Sequence, residues 1–372
     1  MKVGQTLANF PDIVPSEFVE MLEQLHYTAP PMHWALLREM VENELGDDPE
    51  NLFGSFSRRA FAAASLGQVH GARLKSGENV AVKIQYPGIA RTISEDFRNL
   101  ALFLLPGRLD KDWDHVKNQM DDLRTRLEQE TDYRSEAACL TKARSLFRAQ
   151  DGIVIPKVYP EFSTARVLTM ERIDGVHLEE FLRGHPSQEQ RNEAGRKILR
   201  AWYRLFMTGR MVYADFHPGN FLFLKDGRLG VIDFGFMLNL DGELWDVFGR
   251  MDRLFQSGRR EDRLAAVKEW SWITEDPIDA DRLRLSEEYG HWVWQSIYNG
   301  GEFDFGNEAD FKKGVDLLTE MASKRYSRSR PCTPCLSRQQ FGCRSILYRL
   351  KAKVDVHSIR EEELKAADWG LP

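Results

Sequence analysis

Asp215-Phe216-His217-Pro218-Gly219-Asn220, followed downstream by Asp233-Phe234-Gly235, is the part of this sequence that settles its reading. Asp215 lies five residues before Asn220, and Asn220 thirteen before Asp233. The apolar runs 221–224 and 229–232 flank Lys225-Asp226-Gly227, whose residue types predict the turn of a short hairpin. An aspartate, a carboxamide and a second carboxylate would then be spaced along one loop and hairpin. Such residue types suit a polyphosphate held through magnesium. That ion takes hard oxygen ligands, here the Asn220 amide and the Asp233 carboxylate. Asp215 would orient or deprotonate an attacking hydroxyl or water. A single Asp-Phe-Gly would do no more than shape a turn, but three elements in this order and spacing point to chemistry.

Upstream, residues 62–85 are expected to form two strands joined through Lys75-Ser76-Gly77-Glu78. Alternation in Val80-Ala81-Val82-Lys83-Ile84 puts Val80, Val82 and Ile84 on one face and Lys83 on the other. That strand resembles the Val-Ala-Ile-Lys strand of protein kinases, whose lysine holds the α and β phosphates, just as the Asp215 and Asp233 segments resemble their catalytic loop and Asp-Phe-Gly. A charged helical stretch is expected over 116–150, with Ala137, Leu140, Ala143 and Phe147 as its buried stripe. Glu136 lies beside that stripe as the expected partner of Lys83, with Glu130 as an alternative. Where a kinase carries its glycine-rich loop, this chain reads Ala62-Ala63-Ala64-Ser65-Leu66-Gly67. Glycines let backbone N–H groups approach phosphate oxygens, whereas alanines add methyl groups, so phosphate gripping is expected to differ. Met170 and Glu171, by position alone, are expected to join two lobes and offer backbone hydrogen bonds to an adenine.

The rest of the chain supplies the frame. Phe18, Met21, Leu22 and Leu25 repeat at helical spacing, as do Leu37, Met40, Val41 and Leu45 before Gly46. Runs at 153–158 and 166–170 read as strands, Ala194 to Phe206 as a long amphipathic helix, and 241–372 as mostly helical. The expected fold is α+β, a protein-kinase-like two-lobe arrangement around a cleft. Its divisions are a helical extension at 1–50, an N-lobe at 51–170 and a C-lobe at 171–372 with a helical C-terminal region.

A net charge of −6 over 372 residues argues against broad nucleic-acid binding. The basic run 324–330 reads as a solvated loop or, failing that, a contact for an anionic surface. Four cysteines are too few for a disulfide framework, which suits a reducing, cytoplasmic compartment. The run 100–106 is too short to span a bilayer, and the opening Met1-Lys2-Val3-Gly4-Gln5 does not read as a leader. Cys332, Cys335 and Cys343 have zinc-like spacing but no evident fourth ligand, so buried thiols are the plainer reading. Trp245, Trp270, Trp272, Trp292 and Trp294 read as helical core. His217 could meet a phosphate or simply pack the loop.

Taken together, Lys2-Val3-Gly4-Gln5, the alanine-rich segment, Glu130-Thr131-Asp132 and the Asp215–Asn220 and Asp233–Gly235 segments resemble the UbiB family of atypical kinases, associated with ubiquinone biosynthesis. The resemblance runs from residue 1 to about 240. It implies ATP and Mg2+ as cofactors, bound by Lys83, Glu136, Asn220 and Asp233. It further implies a lid in which Lys2, Gln5, Glu130 and Asp132 cover the place where a kinase admits a protein substrate, with Lys2 pointing into the cleft. ATP hydrolysis, or phosphorylation of a small or lipid-like molecule, then fits better than protein phosphorylation in trans. The partners implied are an isoprenoid lipid or membrane surface and quinone-pathway enzymes, with the chain peripheral to a membrane. Family members carry sequence ahead of the Lys-x-Gly-Gln motif that opens this chain, so a longer start or a weakly anchored lid is expected. Two alternatives are a nucleotide-gated lipid-binding scaffold with little phosphotransfer, and a small-molecule phosphotransferase of the aminoglycoside or choline kinase type.

Overall fold

Side-chain alternation along one strand organises the first part of the molecule. The computed structural model describes residues 32–64, 66–103, 124, 125, 128, 130–240, 242–271, 273, 277–298, 300–324, 326 and 333–367. Helices α1 (Trp34–Leu45) and α2 (Pro49–Leu52) precede strands β1 (Ser55–Phe56), β2 (Ala62–Ala64), β3 (Gly67–Arg73) and β4 (Asn79–Gln85). Then come α3 (Ile89–Phe103), α4 (Tyr133–Leu146), β5 (Ile153–Val154), β6 (Val167–Glu171), α5 (Leu178–Arg183) and α6 (Gln188–Met207). Strands β7 (Met211–Tyr213), β8 (Phe221–Phe223), β9 (Leu229–Val231) and β10 (Met237–Asn239) follow. The remainder is α7 (Gly242–Gln256), α8 (Arg260–Trp270), α9 (Ala280–Tyr298), β11 (Phe303–Asp304), α10 (Glu308–Ser323), α11 (Thr333–Leu350), β12 (Lys353–Val354) and α12 (Val356–Ala366). The chain divides into two compact units. One is formed by the described residues up to Arg144 with Pro156–Ile173 and Asp233–Phe236, the other by Ser145–Ile155, Asp174–Ile232 and the described residues from Met237 on.

In the first unit an antiparallel sheet runs β1-β3-β4-β6, with β2 paired to β3. Val80, Val82 and Ile84 are fully buried in one cluster with Leu37, Met40 and Val41 of α1, Phe53 and Val167. Helix α1 starts where the His33 side chain accepts the Ala35 N–H, and stops at Gly46, whose φ of 85° an L side chain rarely adopts. Between 62 and 85 there are three strands where two were expected. The alanines form β2 itself, in register Ala62↔Val69, Ala63↔Gln68 and Ala64↔Gly67. Gly67 is required by close approach, because a Cβ there would lie 1.9 Å from the Ile84 carbonyl oxygen. Helix α3 was not expected. Its inner face is marked by Ile93 and Phe97, both buried one turn apart, among Arg91, Glu95, Asp96 and Arg98. Of the expected helical stretch 116–150, residues 133–146 form α4, while 116–123 lie outside the described residues, as does the pattern from Phe18 to Leu25. Glu136 belongs to the buried stripe of α4 with Tyr133, Leu140 and Ala143, rather than lying beside it.

The two apolar runs expected as strands go to different sheets. Strand β6 completes the first unit's sheet, whereas β5 pairs parallel to β9 in the second unit, next to the β8–β9 hairpin. That hairpin turns at Gly227, with φ 84°. Strand β7 pairs antiparallel with β10, and β11 with β12. Helix α6 opens on a capping box in which Ser187 and Gln190 satisfy each other's backbone N–H groups. The described residues between 242 and 367 are mostly helical, in part around Trp292, Leu285, Tyr289, Leu317 and Met321. Gly314 admits the Trp292 ring, which a Cβ would meet at 2.1 Å. Trp270 and Trp294 pack on a second cluster with Phe255, while Trp272 lies outside the described residues. The mixed architecture is α+β. No described helix is long and apolar enough to cross a membrane.

Candidate active site

Because β4 is a central strand whose even-numbered side chains fill the core, Lys83 projects from the opposite face, yet it is only 3% exposed. Its Nζ donates to Glu136 Oε1 at 2.9 Å and Oε2 at 2.8 Å, and to Asp233 Oδ2 at 3.3 Å. The Tyr133 ring lies 5.2 Å from the same ammonium. Burial alone would lower the Lys83 pKa, but the Asp233 and Glu136 carboxylates outweigh it and hold the ammonium well above its ordinary value. Asp233 is oriented in turn, its Oδ1 accepting the Gly235 N–H at 2.9 Å. The Phe234 N–H reaches Glu136 Oε1 at 3.4 Å.

The start of α4 is pinned to the sheet, which places Glu136 one turn later. Gln85 Nε2 donates to the carbonyls of Thr131 at 2.8 Å and Ala165 at 3.4 Å, and the Tyr133 N–H donates to the same Ala165 carbonyl at 2.9 Å. Asp132 shapes that helix start by accepting the Arg134 backbone N–H at 3.0 Å and its Nε at 3.2 Å. Its side chain is 45% exposed, and Glu130 is half-buried just before it. Ala62 and Ala63 are exposed on β2. Lys2, Gln5 and Ser65 lie outside the described residues. At the end of β6, the Glu171 N–H is spent on the Lys157 carbonyl at 2.7 Å and the Arg172 N–H on the Asn79 carbonyl at 3.1 Å. Those two donors are therefore not available to an adenine, contrary to what position alone suggested for Glu171.

The second unit carries Asp215 and Asn220. Strand β7 runs straight into Asp215, and a single 3₁₀ turn at Pro218–Asn220 folds the carboxamide back. His217 caps that turn by accepting the Gly219 N–H on Nδ1 at 3.1 Å, so its ring shapes the loop. Asn220 Nδ2 donates to the Asp215 carbonyl at 2.8 Å and to its Oδ2 at 3.0 Å. With the nitrogen so used, the amide's acceptor is its Oδ1, a hard oxygen of the kind magnesium takes. The Asn220 carbonyl accepts the Ile232 N–H at 3.1 Å, which ties the loop to the exit of β9. Phe216 is buried against Tyr213 and Phe221, anchoring the residue beside Asp215.

Residues 24–252 match the ABC1 atypical kinase-like domain. The chain belongs to that family. An uncharacterized aarF domain-containing protein kinase of Arabidopsis thaliana, chloroplastic, is 36% identical over 253 residues, which are 67% of this chain and 35% of that protein. The mitochondrial atypical kinase COQ8 of Saccharomyces cerevisiae is 32% identical over 238 residues, 63% of this chain and 47% of that protein. The chain therefore spans about a third to a half of the length of these curated relatives. The solved complex of Rv3197 with erythromycin from Mycobacterium tuberculosis has a TM-score of 0.69 at 26% identity, covering 98% of this chain and 91% of that one.

Among the described residues of this ABC1 kinase-like chain, no three His, Cys, Asp or Glu side chains gather as a metal site. Cys335 and Cys343 are buried, and Cys332 lies outside the described residues. Magnesium bound with a nucleotide needs only one or two protein ligands, because phosphates and waters complete its shell. Asp233 in the first unit and Asn220 in the second each offer an oxygen of that kind. Gln85 and Tyr133 escaped the reading of the sequence, although each carries a period signal. Gln85 is two residues past Lys83 on the same strand face, and Tyr133 is three before Glu136 on the same helix face.

Proposed function

We propose that this chain is an ATP- and magnesium-dependent atypical kinase or ATPase acting in ubiquinone or other isoprenoid-lipid metabolism. The observation that carries this reading is the buried Lys83 ammonium, held charged by Glu136 and Asp233. A fixed cation between two carboxylates is what a lysine needs to meet nucleotide phosphates as a point charge. In this reading Lys83 binds the phosphates and Glu136 sets its position. Asp233 and Asn220 hold magnesium, which neutralises phosphate charge. Asp215, fixed through Oδ2 by Asn220, orients the attacking hydroxyl or water. Ala62, Ala63, Ala64 and Ser65 border the phosphates, and Met170 and Glu171 the adenine, with less to offer from the Glu171 N–H. Lys2, Gln5, Glu130 and Asp132 act as a lid. The acceptor is water or a small or lipid-like molecule, and the partners are an isoprenoid lipid or membrane surface and quinone-pathway enzymes.

A thermal-shift titration tests the metal and nucleotide roles. Mg-ATP is expected to raise the Tm of the wild type and to leave Asp233→Asn almost unmoved. Equal stabilisation of both would remove Asp233 from the metal site. Turnover measured with and without lipid vesicles then separates an enzyme from a scaffold. Cellular function that survives Asp215→Asn despite lost turnover would favour the scaffold.

A further inference from the structure

We propose that Arg338, on helix α11 and outside the matched kinase-like domain, is a positioning residue for the Asp215 carboxylate. The inference rests on the reading of Asp215 as the group that orients the attacking hydroxyl or water. The loop Asp215–Asn220 contains no lysine or arginine, and its one basic ring, His217, is occupied in capping the Gly219 N–H. The second unit instead brings a cation from far downstream, with Arg338 Nη2 3.7 Å from Asp215 Oδ1. The other oxygen, Oδ2, accepts from Asn220 Nδ2 at 3.0 Å. Each carboxylate oxygen thus faces a different partner, and rotation about the last side-chain torsion would weaken both contacts. A carboxylate that must align a hydroxyl gains from having that rotation removed, since small misplacements cost rate steeply.

The approach of α11 to this loop is a specific packing feature. One turn past Arg338, Gly342 lies against Phe216, the residue that follows Asp215, where a Cβ would stand 2.3 Å from the Phe216 carbonyl oxygen and 3.0 Å from its Cβ. Glycine is the residue that admits this approach. Cys335, Gln339, Cys343 and Ile346 bury the helix face on which this register depends. The side chains of Arg338 and Asp215 are 23% and 43% exposed, so solvent screens their attraction and the pair adds little stability. What the planar, permanently charged guanidinium supplies at that distance is orientation.

The full chain would be compared as wild type, Arg338→Gln, Arg338→Lys, Asp215→Asn and the Arg338→Gln/Asp215→Asn double variant, by steady-state Mg-ATP turnover and Tm. Arg338→Gln is expected to lower kcat at least about tenfold, with KM for ATP within about twofold. Its Tm should stay within about 2 °C of wild type. Arg338→Lys should recover part of the lost kcat. On the Asp215→Asn background the Gln substitution should cost nothing further, because a positioning residue has nothing left to position. Wild-type kcat in Arg338→Gln, or the same fractional loss with and without Asp215, overturns the proposal. Should Arg338→Gln fail to fold, Arg338→Lys takes its place in the cycle. A kcat that Arg338→Lys lowers when Asp215 is intact, but leaves unaltered on the Asp215→Asn background, supports the assignment, and wild-type kcat sinks it. A wild-type chain with neither turnover nor an Mg-ATP shift in Tm overturns the nucleotide reading and this inference together. An active wild type with an indifferent Arg338→Gln overturns the inference alone.

Discussion

A lysine buried to 3% exposure must be paired, because an isolated ammonium away from water is too costly to keep charged. Lys83 meets this demand with two carboxylates, but a buried ion pair is weak ground for stability, since desolvation consumes much of the attraction. The separation of stability from function can be measured. Glu136→Gln leaves the ammonium short of a charge and is expected to destabilise the chain by about 3 kcal/mol in urea unfolding while removing the Mg-ATP shift. The double change Lys83→Met/Glu136→Leu replaces the pair with apolar groups of similar size. It should recover most of that stability and none of the nucleotide response. Full nucleotide response in the double variant would show that the pair is structural. At this scale the sequence exposed much: Lys83, Asp215, Asn220 and Asp233 stand out by type and spacing, whereas Glu136 shared the place of Lys83's partner with Glu130 until packing set Glu136 against the ammonium. It did not expose Arg338, whose contact with Asp215 depends on a chain return that leaves no local trace.

At the scale of elements, the link from β4 to α4 decides whether Glu136 can reach Lys83. Gln85 ends the strand that carries Lys83, and its carboxamide clamps the carbonyls of Thr131 and Ala165, the second of which also takes the first N–H of the helix. Gln85→Ala is therefore expected to cost about 1–2 kcal/mol from the lost hydrogen bonds. It should also raise KM for ATP more than it lowers kcat, because it loosens the binding cation and not Asp215. A fall in kcat alone would place Gln85 elsewhere in the mechanism. Elements with strong periodicity were legible, such as β4 with its 0% exposed Val80, Val82 and Ile84, and the hairpin turning at Gly227. Helix α3 was not, because its two buried anchors, Ile93 and Phe97, sit in a charged sequence whose burial comes from packing. The alanines of β2 also misled, since three small side chains carry no alternation and only pairing with β3 makes them a strand.

For the molecule as a whole, the C-terminal helix is held in the second unit by charges that close over long sequence distances. Arg204 of α6 meets Glu363 of α12 at 2.7 Å and Asp151 at 2.7 Å. Burial would raise the Asp151 pKa, but hydrogen bonds from Arg204 and the Arg148 N–H outweigh it and hold the carboxyl below its ordinary value. The unfolded chain therefore binds this proton first as pH falls. The stability Asp151 contributes is complete above its unfolded pKa of about 3.9 and is lost as pH drops through the lower folded value. Asp151→Asn is expected to cost about 2 kcal/mol at pH 7 and clearly less at pH 3, by denaturant unfolding at each pH; an equal cost at both would deny the ionic contribution. By itself the sequence determined the α+β class, the kinase-like resemblance and the chemistry-bearing residue types, because these follow from local period, turn chemistry and the fixed spacing of a loop and hairpin. Only the tertiary structure decided that Glu136 faces inward onto Lys83, that Gln85 sets the helix which carries it, and that Arg338 stands beside Asp215. Each of these depends on how distant segments pack, a property that no local period encodes.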